Sequence, residues 1–123
     1  MALTSRRVLI IDDDPEIRAI IAEALSYEGH SVAEAGDGLD GLRSAREHHP
    51  DLILLDLMMP RMDGWAFRRA QVTDAQLATI PVVIISAAPP EQVHALDVAA
   101  HFHKPFGLDD LFDVIERLTA EAA

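Results

Sequence analysis

Three short aliphatic runs, Val8 to Ile11, Leu52 to Leu55 and Val82 to Ile85, constrain this chain more than any other feature. A strand with one wet face alternates apolar and polar residues; these runs do not, so both of their faces must be covered. They fall far short of the ~20 apolar residues that span a bilayer, which argues against membrane insertion. Two weaker strand candidates are Ser31 to Ala35, and His101 to Lys104 around Phe102.

The stretches between them have helical spacing. Asp14 followed by Pro15 reads as an N-cap with proline at the first helical position. From there Ile17, Ile20, Ile21, Ala24 and Leu25 predict one apolar face, with Gly29 as the stop. A second helix is predicted from Asp37 to about His48, with Leu39, Leu42 and Ala45 inward and His48-His49 at its end. A third starts near Gly64 and a short fourth near Pro90. The fifth opens after Gly107, carries Asp109 and Asp110 in its first turn, and buries Leu108, Leu111, Phe112, Ile115 and Leu118. Thr119 to Ala123 are expected to follow it.

Strand and helix thus alternate five times, the pattern of a parallel sheet with helices on both faces. The uniformly apolar first, third and fourth strands belong in the centre and the weaker second and fifth at the edges. Right-handed crossovers then favour the order 2-1-3-4-5. With 123 residues the chain fits one domain, residues 1–123 with a core of about 6–119, and no second domain is expected in it. It has no cysteine, hence neither a disulfide framework nor a thiolate metal site. Arg6 and Arg7 precede an apolar run too short for a signal peptide, so a soluble cytoplasmic protein is expected. The formal charge of −11 repels nucleic acid, so no direct contact with DNA or RNA is expected.

In such a sheet, ligands bind beyond the carboxyl ends of the strands, where the strand order reverses. That point lies between strands one and three. Strand one ends in Asp12, Asp13 and Asp14, and strand three in Asp56; Ser86 and Lys104 end strands four and five beside the same crevice. Taken singly, each aspartate reads as a helix cap or a strand end. Together, clustered carboxylates repel and raise one another's pKa values, and a hard divalent cation relieves this. Asp14 is assigned to the helix cap and left out of the site. Lys104 is the only lysine among ten basic residues.

These residues resemble the receiver domain of two-component response regulators. The motifs are Val8-Leu9-Ile10-Ile11-Asp12-Asp13-Asp14, Leu55-Asp56-Leu57-Met58-Met59-Pro60 with Asp63-Gly64, Ile85-Ser86-Ala87, and Lys104-Pro105-Phe106, in that order along essentially the whole chain. The resemblance implies a flavodoxin-like doubly wound five-stranded parallel sheet with five helices. It implies Asp56 as phosphoacceptor, taking the group from a phosphohistidine on a sensor histidine kinase or histidine phosphotransfer protein. Mg²⁺, with Mn²⁺ as a substitute, would be held by Asp13, Asp56 and the backbone carbonyl of Met58, with Asp12 acting through water. Lys104 would pair with Asp56 at rest and bind the phosphoryl group afterwards, together with Ser86. Lys104-Pro105 would be a cis peptide. Ser86 and the residue three before the lysine would form the switch, presenting the face of helix four, strand five and helix five to a downstream effector. The domain would signal, catalysing only its own phosphorylation and dephosphorylation.

Three features depart from the family pattern. The switch position, usually aromatic, is His101; Phe102 should point to the opposite face, and His103 shares the face of His101. The span from Ser86 to Lys104 is about one helical turn shorter than usual, and Pro89 and Pro90 stiffen the loop. Outside the motifs, Trp65 is expected at the site rim, and Arg68 and Arg69 on a solvated helix face. Other readings stay open: a Mg²⁺-dependent aspartyl phosphatase, although Met58 stands where its second Asp belongs; a flavin or nucleotide binder, although Asp12-Asp13-Asp14 repels phosphate; and a receiver-like interaction domain that works unphosphorylated.

Overall fold

The computed structural model describes residues 5–121. Its strands are β1 (Arg7–Ile11), β2 (Ser31–Ala35), β3 (Leu52–Leu55), β4 (Val82–Ser86) and β5 (Ala100–His103). Its helices are α1 (Pro15–Tyr27), α2 (Gly38–His48), α3 (Gly64–Val72), α4 (Pro90–His94) and α5 (Leu108–Glu121). The strands form one parallel sheet in the order β2-β1-β3-β4-β5. The sequence reading gives this order correctly. β5 begins and ends one residue earlier than expected, so Lys104 lies just past the strand.

The non-alternating runs are buried on both faces because each face carries its own core. On one side Leu9, Ile11, Ile53, Leu55, Val82 and Ile84 pack with Leu42, Ala45 and Phe67. On the other, Val8, Ile10, Leu52, Leu54, Val83 and Ile85 pack with Ile21, Leu25, Leu111 and Ile115. Each fully buried aliphatic side chain contributes roughly 1.5–3 kcal/mol of burial free energy.

Helix starts follow the caps. Asp14 Oδ1 accepts from the Glu16 and Ile17 N–H groups, Asp37 Oδ1 from Asp40 N and Asp63 Oδ1 from Ala66 N. Two inward assignments are corrected. Ile20 is exposed, because Ile17, Ile21 and Leu25, four residues apart, already form the stripe that meets the sheet. Leu39 is exposed as well, since α2 turns Gly38, Gly41, Leu42 and Ala45 inward. α5 also runs past Thr119, which is buried and donates its hydroxyl to the Ile115 carbonyl. Gln71, buried in α3, donates to the Leu77 and Ile80 carbonyls and so holds the α3–β4 connection. Arg68 is not merely solvated: it donates to Gln71 Oε1 and to the Asp97 carbonyl.

Candidate functional site

The site is built at the carboxyl end of the sheet, where β1 and β3 run side by side and send their connections to opposite faces. Asp12 N–H donates to the Ala35 carbonyl and Asp56 N–H to the Ile11 carbonyl, so the ladder carries both residues just beyond their strands. Asp12, Asp13 and Asp56 thereby converge, each offering one carboxylate oxygen within 4.8 Å of the others. Asp12 and Asp56 are buried and Asp13 is exposed at the mouth. Asp14 stays out of the cluster as the α1 cap.

Lys104 N–H donates to the Ser86 carbonyl, which fixes the residue beside β4. Its ammonium crosses to the acids, 2.8 Å from Asp12 Oδ2 and 3.5 Å from Asp56 Oδ2. It therefore bridges the two buried carboxylates and sits closer to Asp12. The Lys104–Pro105 peptide is cis. Ser86 is buried at the end of β4, and its Oγ accepts from Ala88 N–H at 3.1 Å.

The electrostatics follow from this crowding. Burial, and next the Asp12 charge, push the Asp56 carboxyl above the usual carboxylate range, against a downward pull from Lys104 and the Met58 N–H. Lys104 is opposed by burial, yet its contacts with Asp12 and Asp56 outweigh that and raise its pKa. A buried cluster with excess negative charge and oxygen donors only is suited to a hard divalent cation.

The walls explain Gly64 and Trp65. A Cβ on Gly64 would lie 2.4 Å from the Asp56 carbonyl oxygen and 2.7 Å from Leu57 Cα, so only glycine lets α3 start this close to the acceptor strand. Trp65 lines the mouth with Asp13, Met58 and Met59, and its indole N–H reaches the Gln92 carbonyl at 3.4 Å, tying α3 to α4. His101 is exposed, with its ring 5.2 Å from that of His94 in an edge-on arrangement. Phe102 points to the other side, into the core against Phe106. His103 is exposed, on the same face as His101.

Sequence reasoning missed Arg18, Asp37 and Arg61. Arg18 donates to the Asp12 carbonyl and to Glu34, and Arg61 pairs with the buried Asp37. In the sequence Asp37 stood only as the start of the second helix; its burial and its pairing with Arg61 appear only in the fold.

The "Response regulator receiver domain" family profile matches residues 8–116. The transcriptional regulatory protein PdtaR of Mycobacterium tuberculosis is 37% identical over 120 residues, 94% of this chain and 57% of its own. The DNA-binding dual master transcriptional regulator RpaA of Synechocystis is 34% identical over 116 residues, 91% of this chain and 48% of its own. The chain thus spans about half the length of the curated relatives it matches. Among solved structures, the chemotaxis response regulator CheY4 of Vibrio cholerae superposes with a TM-score of 0.85 at 28% identity, covering 94% of this chain and 99% of that one. On profile, relatives and fold together, the chain belongs to the response regulator receiver domains, the phosphoryl-accepting signalling domains of two-component systems.

Proposed function

We infer that Asp56 is the phosphoacceptor and that the surrounding residues stabilise its phosphorylated form. The observation that carries this reading is the bridge of Lys104 over Asp12 and Asp56 inside an acidic cluster open at Asp13. Mg²⁺, or Mn²⁺ in its place, fits the donor set: Asp13 and Asp56 with the Met58 carbonyl would hold it. Asp12 already receives the Asp14 N–H on one oxygen and Lys104 on the other, which suits a role through water. When bound, the cation neutralises charge on the phosphoryl oxygens.

The rest of the chemistry belongs to the chain. An Asp56 carboxylate oxygen bonds to phosphorus as the phosphorus–nitrogen bond of the donor histidine breaks. Lys104 places a compact positive charge beside Asp56 before and after transfer. Ser86, one strand away, donates its hydroxyl to a phosphoryl oxygen, and the loop after β4 moves with it. Signalling ends at the α4–β5–α5 face, where His101 moves relative to His94.

The donor would be a histidine kinase or histidine phosphotransfer protein. Next to Lys104 lies an apolar hollow of about 370 Å³, lined by Ile17, Ile20, Ile21, Pro105, Phe106 and Leu108, which gives such a partner a surface beside the acceptor. The recipient of the signal is an effector protein at the α4–β5–α5 face. The net charge of −11 opposes nucleic-acid contact by this domain itself. No helix among the described residues is long and apolar enough to cross a membrane. We propose residues 1–123 as one receiver domain.

Beryllofluoride titration with Mg²⁺, followed by Trp65 fluorescence, tests the site. Saturable quenching or enhancement that disappears in Asp56→Asn is expected; an unchanged signal in that variant would overturn the assignment.

A further inference from the structure

The loop from Met58 to Asp63 joins the acceptor strand to α3. It is fixed at its far end, where Gly64 N–H donates to the Leu57 carbonyl at 2.9 Å. A second fixture comes from outside. Gly38 N–H donates to the Met62 carbonyl at 2.9 Å, and a Cβ at Gly38 would lie 2.5 Å from Met62 Cγ and 2.8 Å from that carbonyl oxygen. The third is ionic. Arg61 Nε lies 2.7 Å from Asp37 Oδ2, and Nη2 reaches the same oxygen. Asp37 Oδ1 meanwhile accepts the Asp40 N–H, so the carboxylate is held on both sides.

Two features set this pair apart from an ordinary surface ion pair. Asp37 is buried, at 1% exposure, although Arg61 is largely exposed. Arg61 also has a φ of 63°, a left-handed conformation that a residue with a side chain adopts against resistance and that glycine adopts readily. Three residues upstream on the same short loop stands Met58, the proposed carbonyl ligand.

Resting on the Mg²⁺ site proposed above, we propose that Asp37 and Arg61 are positioning residues for metal binding: from the start of α2 they clamp the β3–α3 loop so that the Met58 carbonyl faces the acidic cluster. Neither touches the cation or the phosphoryl group. Their effect is on the geometry of a ligand, the kind of outer contact that tunes metal affinity without providing a donor. Backbone hydrogen-bond capping keeps Asp37 ionised, assisted by Arg61 against its burial, so the clamp persists through the neutral range.

The test measures Mg²⁺ binding alone, by NMR titration without phosphodonor, in wild type, Arg61→Gly, Asp37→Asn and Arg43→Ala. Arg61→Gly removes the clamp while relieving the backbone, so its melting temperature should equal or exceed that of wild type. Its Mg²⁺ affinity should fall about tenfold. Asp37→Asn retains an oxygen for the Asp40 N–H but loses the ion pair, and should weaken Mg²⁺ similarly. Arg43→Ala removes an exposed pair with Asp40 on the same helix and should leave affinity unchanged. In the clamp variants the Mg²⁺ dependence of phosphorylation should shift by the same factor, with a near wild-type rate at saturation. Wild-type affinity in Arg61→Gly, or a loss that merely tracks a lower melting temperature, would overturn the clamp. A wild-type protein that does not bind Mg²⁺ would overturn the underlying site as well, and that failure is visible without any variant.

Discussion

Asp56 sits where burial and the Asp12 charge both raise its pKa, and Lys104 offsets them only in part. A carboxyl raised in the folded state contributes stability that is present below its unfolded pKa and is lost as pH rises through the raised folded value. Without metal, ionisation of Asp56 therefore costs the fold stability. Asp56→Asn should raise the unfolding free energy of the metal-free protein by about 1 kcal/mol, within the usual range for single changes. Chemical denaturation at pH 7 checks this; a less stable variant would contradict it. The same raised pKa means Mg²⁺ and protons compete, so Mg²⁺ affinity should decline on acidification beginning above the ordinary carboxylate range. At residue scale the convergence of Asp12, Asp13, Asp56, Ser86 and Lys104 was legible in the sequence, since all lie at strand ends. The sequence could not show that Lys104 leans toward Asp12, because that depends on the side-chain path across β4 and β3.

Among the elements, the start of α3 is the tightest joint. Gly64→Ala would force a Cβ into the Asp56 carbonyl and Leu57, and should cost about 3 kcal/mol or more because backbone, not a flexible side chain, must yield. Gln71→Leu would leave the Leu77 and Ile80 carbonyls without their donor and should cost about 1–3 kcal/mol. Both are read by denaturant midpoints. Strand assignments were legible because a run apolar on both faces has few alternatives. Helix faces were less so: Ile20 and Leu39 lie at the margins of their stripes, roughly a third of a turn from the buried centre, where apolar character alone does not decide direction. The α4–β5 face was the least legible. The short α4 and its two prolines were visible, but not that the His94 ring meets His101. Beryllofluoride binding should shift the imidazole NMR signals of both histidines; movement restricted to residues around Asp56 would contradict a read-out through this face.

For the whole molecule, the two cores on opposite faces of the sheet hold the fold, and the site depends on that fold for every approach of its carboxylates. That division accounts for what the sequence could tell: the topology and the acidic cluster follow from strand patterns and strand ends, whereas the Asp37–Arg61 ion pair forms only when two loops meet. It also isolates the central claim, that one carboxylate accepts the phosphoryl group. Incubation with Mg²⁺ and a small-molecule phosphodonor, followed by intact-mass and peptide mass spectrometry, addresses it directly. The account predicts a single acid-labile phosphate on Asp56, lost in Asp56→Asn and dependent on Mg²⁺; no adduct, or one that persists in Asp56→Asn, would contradict it.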